Sequence, residues 1–179
     1  MKILAFAASS SSKSINKQLV THAVDVLRTE IMTDAEIEML DINDYEMPIY
    51  SSDREEAAGI PDLASQFAAK IGAADALLIS YAEHNGNYTA AYKNLFDWTS
   101  RLGGKVFQDK LMIIMATSPG PGGAANVLAM ARTSAPFFGA EVKADLSIAR
   151  FHDIFDSENG RITDADIKAQ LHAALTALQ

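Results

Sequence analysis

Cysteine is absent from the 179 residues, which excludes disulfides, thiolate metal sites and a cysteine nucleophile. Basic residues are scarce: 15 Lys and Arg stand against 23 Asp and Glu, a formal net charge of −8. That balance disfavours nucleic acid as the main partner, because phosphate binding needs a basic surface. Long apolar runs are missing too. No stretch approaches the roughly 20 residues that cross a bilayer. The opening Met1-Lys2-Ile3-Leu4-Ala5-Phe6 is interrupted by Ser9 before it reaches signal-peptide length. No Gly-x-Ser-x-Gly elbow occurs, which argues against a serine hydrolase, and none of the 4 histidines has metal-ligand spacing. The expectation is a soluble, cytoplasmic protein in one domain over residues 1–179, with no metal and no membrane or nucleic-acid partner.

What is present is an alternation of strand and helix patterns. Ile3 to Ala8 is an apolar run, followed by a helix with Ile15, Leu19, Ala23, Val26 and Leu27 on one face. Ala35 to Met39 alternates as a half-exposed strand does. A loop from Asp44 to Asp53 leads to a helix that Pro61 opens and Gly72 closes, presenting Leu63, Phe67 and Ile71. Ala76 to Ser80 and Leu111 to Ala116 are again apolar, and Glu141 to Leu146 alternates. Thr163-Asp164-Ala165-Asp166 resembles a capping box before a last helix. Alternating elements of this kind make a parallel sheet covered on both faces. Continuously apolar strands belong in the centre and alternating ones at the edges. The order 2-1-3-4-5 places all five strands so, whereas 3-2-1-4-5 exposes the apolar third strand. The expected fold is therefore α/β: a flavodoxin-like three-layer sandwich on a five-stranded parallel sheet.

In that order the loops after the first, third and fourth strands gather at one end of the sheet, where ligands bind in open α/β folds. Ser9-Ser10-Ser11-Ser12-Lys13-Ser14 and Asn16 offer hydroxyls and helix N-terminal amides, a phosphate cradle without a P-loop or Gly-x-Gly-x-x-Gly pattern. Glu83-His84-Asn85-Gly86-Asn87 is a turn dense in hydrogen-bonding side chains. Ser118-Pro119-Gly120-Pro121-Gly122-Gly123 lets backbone approach a ligand closely. A ligand with a phosphate at one end and a flat polar ring at the other suits these loops, and a flavin mononucleotide has that shape.

The chain resembles the NAD(P)H-dependent FMN reductases, among them flavodoxin-like quinone, azo-dye and chromate reductases. Members carry Gly-Ser-x-Arg-x-x-Ser-x-Asn after the first strand, where Ala8-Ser9-Ser10-Ser11-Ser12-Lys13-Ser14-Ile15-Asn16 stands here. The family's Pro-Glu-Tyr-Asn is Ala82-Glu83-His84-Asn85, and its Lys-Asn-x-x-Asp-Trp is Lys93-Asn94-Leu95-Phe96-Asp97-Trp98. Ser118 to Gly123 matches its Ser-x-Gly-x-x-Gly-Gly loop with one residue fewer between the first and last glycines. The family's Arg is Ser11 here, leaving Lys13 as the cation of the cradle, and its Tyr is His84.

The resemblance implies FMN as cofactor and NAD(P)H as co-substrate. It carries phosphate contacts onto Ser9, Ser11, Ser14, Ile15 and Asn16. Ring contacts fall on Ala82, Glu83, His84, Asn85 and Gly86, and backbone approach on Ser118, Pro119, Gly120, Gly122 and Gly123. Tyr50 is the aromatic that the likeness sets over a substrate. The implied reaction passes hydride from the nicotinamide to the flavin and electrons on to a small quinone-like acceptor, with no side chain as acid or base. Two alternatives remain: a flavodoxin-type electron carrier, and a flavin-free binding module on the same fold. The cradle reading expects Asn16→Ala to weaken FMN and spare riboflavin. Finally, Tyr88, Tyr92, Phe96 and Thr99 form one row of the helix after the third strand, and Ala91, Leu95, Trp98 and Leu102 another. A helix on a sheet needs one stripe, so a second copy of the chain is expected over the surplus, in a homodimer or tetramer.

Overall fold

The computed structural model describes all residues, Met1–Gln179. Its main sheet contains β1 (Lys2–Ala8), β2 (Glu36–Leu40), β3 (Ala76–Tyr81), β6 (Lys110–Thr117) and β7 (Ala140–Ile148). Two short antiparallel ribbons interrupt the count: β4 (Glu83–His84) with β5 (Asn87–Tyr88), and β8 (Phe155–Asp156) with β9 (Arg161–Ile162). The sheet order is β2-β1-β3-β6-β7, all parallel. Counted along the chain, its five strands thus run 2-1-3-4-5, as the burial pattern of the sequence implies. β3 is buried at every position, whereas β2 and β7 alternate.

The helices are α1 (Ile15–Val26), α2 (Ser52–Ala58), α3 (Asp62–Gly72), α4 (Ala90–Ser100), α5 (Ala125–Ser134), the one-turn α6 (Phe151–Ile154) and α7 (Ala165–Thr176). Alternate residues of each central strand feed two separate cores. Leu4, Phe6, Leu77 and Ile79 meet α3, α4 and α5 through Phe67, Ile71, Trp98 and Val127. Ile3, Ala5, Leu78 and Ile113 meet α1 and α7 through Leu19, Val20, Leu171 and Leu175. Each Val, Leu, Ile or Phe among them, taken from water to full burial, contributes roughly 1.5–3 kcal/mol. At the edge, β7 slips by one residue: Met112 pairs with Val142 and Ile113 with Ala144, so Lys143 bulges out.

Two local expectations change. Asp164, rather than Thr163, caps α7, accepting from the amides of Asp166 and Ile167, while the Thr163 hydroxyl donates to the Ile154 carbonyl. Much of the apolar surplus of α4 is covered by the chain itself. Tyr92, Leu95, Trp98 and Thr99 are buried, and Phe96 packs edge-on against Phe138 at 4.7 Å and against Phe107 at 5.8 Å. The two apolar rows are as the sequence pattern implies, and Ala91 and Leu102 of the second row stay exposed. No helix is long and apolar enough to cross a membrane.

Candidate functional site

The carboxyl ends of β1, β3 and β6 bring the serine loop, the Glu83–Asn87 turn and the glycine loop to one edge of the sheet. Ser14 caps α1, its hydroxyl accepting from the Lys17 amide at 3.2 Å. The Ser9 and Ser11 hydroxyls hold the loop open in the same way, accepting from the amides of Ser11 and Lys13. The amides of Ser10, Ser12, Ile15 and Asn16 have no acceptor in the protein. Two of these, Ile15 and Asn16, lie in the first helical turn, where orphan donors and the helix dipole favour an anion. What Ile15 offers there is its backbone amide. Lys13 is exposed and makes no ion pair, whereas Lys17 is tied to Asp41 and holds the Asp41 carboxyl below its ordinary range.

Asn16 points elsewhere. Its side chain is buried and turned into the molecule: Nδ2 donates to the Thr117 carbonyl at 3.2 Å, while Oδ1 accepts from the Thr117 amide at 3.1 Å and the Ser80 hydroxyl at 2.8 Å. The carboxamide pairs with the Thr117 peptide much as a neighbouring strand would. Asn16 therefore braces the ends of β3 and β6 against α1 and leaves only its backbone amide for the cradle.

The Asn85-Gly86 turn between β4 and β5 has positive φ at both residues, 54° and 76°, the primed geometry that joins two-residue hairpins. It carries His84 and Asn85 outward, exposed, while Ala82 is buried beneath them. Glu83 turns back instead: its carboxylate accepts from the Val127 amide of α5 at 2.9 Å and, at 3.5 Å, from the Asn126 side chain. Thr89, which sequence patterning passed over, caps α4 and donates to the Ala8 carbonyl at 3.0 Å, tying this turn to the base of the serine loop.

In the glycine loop, carbonyls face inward. The Ser118 hydroxyl donates to the Gly120 carbonyl, which also accepts from the Arg150 amide at 3.0 Å, and the Phe151 amide donates to the Ser118 carbonyl. The amides of Gly120, Gly122, Gly123 and Ala124 find no protein acceptor. At Gly120 and Gly122 an added Cβ would meet nothing within 4 Å, so the backbone there faces open space. Gly123 differs: φ is +60°, and a Cβ would sit 2.5 Å from the Ser147 hydroxyl and 3.1 Å from the Ala149 nitrogen. Pro119 is exposed and fixes the entry of the loop.

Below the turn lie three tyrosines. Tyr81 and Tyr92 are buried with their hydroxyls 3.4 Å apart, and Tyr88 stacks edge-on beside them and reaches the Ser134 hydroxyl at 3.3 Å. Burial raises all three phenols above their ordinary range, so they remain neutral at physiological pH and supply no base. Tyr50 makes its hydrogen bonds and ring contacts outside the three loops. Its ring meets Trp98 edge-on at 5.0 Å and its hydroxyl donates to Glu55 at 3.0 Å. Asn94 and Trp98 explain the α4 motif: the Asn94 amide donates to the Met47 and Pro48 carbonyls, and the Trp98 indole donates to Pro48 at 2.7 Å. They hold the loop after β2 beside an open cleft of about 420 Å³ that Ser10, Met47, Ile49 and Ala91 help to line.

An anion cradle at one helix N-terminus and a second bank of free amides on a glycine loop, at the carboxyl edge of a 2-1-3-4-5 sheet, define a mononucleotide-binding flavodoxin-like protein. The chain belongs to the NADPH-dependent FMN reductase family, whose model matches residues 1–153. It is thus an FMN-dependent oxidoreductase that uses NAD(P)H. It is 26% identical over 182 residues to "Probable NADPH:quinone oxidoreductase 2" of Oryza sativa subsp. japonica, covering 100% of this chain and 87% of the relative. To a quinone reductase of Escherichia coli K12 it is 28% identical over 134 residues, covering 74% and 71%. Among solved structures, FerB, a flavoenzyme NAD(P)H:(acceptor) oxidoreductase from Paracoccus denitrificans, matches with a TM-score of 0.78 at 24% identity, covering 98% of this chain and 93% of that one. An azoreductase from Bacillus anthracis matches with a TM-score of 0.70 at 17% identity, covering 98% and 97%.

Proposed function

We propose that the chain, working as one FMN-binding unit in the cytoplasm where NAD(P)H is regenerated, passes electrons from NAD(P)H to a small flat acceptor of the quinone class. The observation that carries this reading is the two banks of unpartnered amides: Ser12, Ile15 and Asn16 for a phosphate, and Gly120, Gly122, Gly123 and Ala124 for the carbonyl and nitrogen acceptors of a flavin ring. The hydroxyls of Ser9, Ser11 and Ser14 complete the phosphate end, with exposed Lys13 supplying charge. His84, Asn85 and Gly86 border the ring from the opposite loop, and Ser118 and Pro119 set the path of the glycine loop. Bound there, FMN supplies the redox chemistry. The side chains bind and orient, and none is assigned a proton transfer. Acceptors named for the rice and Escherichia coli relatives are quinones, which supports the acceptor class.

A visible spectrum after incubation with FMN and gel filtration is expected to show retained flavin, which NAD(P)H alone bleaches without oxygen. Retained flavin that bleaches only with a separate reductase would make the chain an electron carrier. Protein that stays colourless would make it a flavin-free module.

The chain works as a homodimer, or a tetramer built from it, in this reading. Phe137, 82% exposed beside the Phe138 that packs on α4, and Ile49, 75% exposed on the Asn94-held loop, are the two most exposed large apolar side chains and the ones a second copy would cover. Light scattering is expected to give a dimer or larger for wild type and a smaller species for Phe137→Glu. A monomeric wild type would defeat the assembly. A Phe137→Glu variant of unchanged size would move the interface off this face.

A further inference from the structure

Three helix N-termini meet the same edge of the sheet, those of α1, α4 and α5, and each by its dipole attracts an anion; of these, α1 and α5 border the serine and glycine loops. The structure treats these two differently. At α1 the cap is the neutral Ser14 hydroxyl, and the amides of Ile15 and Asn16 are open. At α5 the preceding residue is Ala124, left-handed at φ 58° and without a side chain that caps. The third amide of the helix, Val127, is the donor that an Asp or Ser cap would ordinarily serve. Here it is taken by a carboxylate from another loop, that of Glu83, at 2.9 Å, across 44 residues of sequence. A carboxylate on an amide at a helix N-terminus is a charge-assisted bond in its favoured place.

We propose that Glu83 is a positioning residue of the flavin site, and this rests on the flavin reading above. Its carboxylate does not meet the ring. It joins the Asn85-Gly86 turn to the first turn of α5, so the two loops that flank the ring keep a fixed separation. It also fills the N-terminus of α5 with negative charge, which turns a phosphate away from α5 toward the serine loop of α1 and sets the direction in which the nucleotide lies.

Titrations of FMN and riboflavin into wild type, Glu83→Gln and Glu83→Ala test this role, together with amide exchange of Val127 in the flavin-free proteins. Glu83→Ala is expected to weaken FMN and riboflavin by the same factor, about tenfold, and Glu83→Gln, which keeps an oxygen for Val127, by about threefold. Val127 exchange is expected to quicken about tenfold in Glu83→Ala. Inorganic phosphate is expected to compete with FMN alone in wild type and with riboflavin as well in both variants, a change that a purely structural role would not produce. Variants that bind both flavins as wild type does, lose only FMN, or leave phosphate indifferent to riboflavin would overturn the role of Glu83. A wild type that binds neither flavin would overturn the flavin reading and this role with it. If Glu83→Ala fails to fold, Glu83→Gln decides on the same outcomes, with the smaller factor.

Discussion

Asn16→Ala is expected to lower the melting temperature by about 10 °C and to weaken FMN and riboflavin together. The substitution removes one acceptor and one donor that serve three buried bonds, to the Thr117 amide, the Thr117 carbonyl and the Ser80 hydroxyl. Each buried polar group left without a partner costs roughly 1–3 kcal/mol. A total near 4 kcal/mol moves the midpoint by about 2–4 °C per kcal/mol in a chain of this size. Both flavins suffer because the lost brace sets α1 against β3 and β6, beneath every loop of the site. Asn16→Asp keeps the acceptor for Ser80 and the Thr117 amide but sets an oxygen against the Thr117 carbonyl, and it is expected to fall between wild type and alanine. Calorimetry and flavin titration check this together. A variant with unchanged melting that loses FMN and keeps riboflavin would mean that the side chain meets the phosphate directly.

Neighbouring glycines are expected to separate stability from binding. Gly123→Ala places a Cβ 3.1 Å from the Ala149 nitrogen and 3.2 Å from the Ile148 carbonyl carbon, backbone atoms that cannot swing aside, and it crowds the Ser147 hydroxyl that donates to the Gly123 carbonyl. Left-handed φ adds about 1–2 kcal/mol for any residue with a Cβ. The expected total is about 3 kcal/mol, a fall of about 6–12 °C. At Gly122 the added Cβ meets nothing within 4 Å. Gly122→Ala is therefore expected to melt as wild type does and to bind FMN about tenfold more weakly, because the methyl stands where the ring would approach the loop. Equal melting for the two variants would show that the glycine loop is not packed as described. Unchanged flavin affinity in Gly122→Ala would move the ring off this loop.

The strand order was legible because burial leaves a mark on every residue of a strand: β3 has no polar position facing water, and β2 and β7 do. The three loops were legible for the same reason, since they follow the central strands. What the side chains do there was not. Asn16 reads as a cradle residue until its partners are known, and Ser80 and Thr117 lie 64 and 101 residues away. Glu83 looks like part of a polar turn, and only the fold brings Val127 to it. α2 left no pattern to read, because none of its residues is buried. The Glu83–Tyr88 ribbon pairs only two residues on each side, too short for alternation to register. The cover of α4 depended on Phe107 and Phe138, which no periodicity links to Phe96.

The Asn16–Thr117 pair also ties the site to distant parts of the chain. A contact spanning 101 residues carries the loop-closure entropy of the intervening chain, which pairing of the central strands offsets. Thr117 is itself held from further on, its hydroxyl donating to the Ile148 carbonyl at 2.7 Å. A nascent chain that ends before β7 thus has the serine loop, the Asn85-Gly86 turn and Asn16 with its partners, but lacks the strand that holds the Thr117 hydroxyl. Chains stalled on the ribosome before Ile148 emerges are therefore expected to retain flavin less well than the full chain.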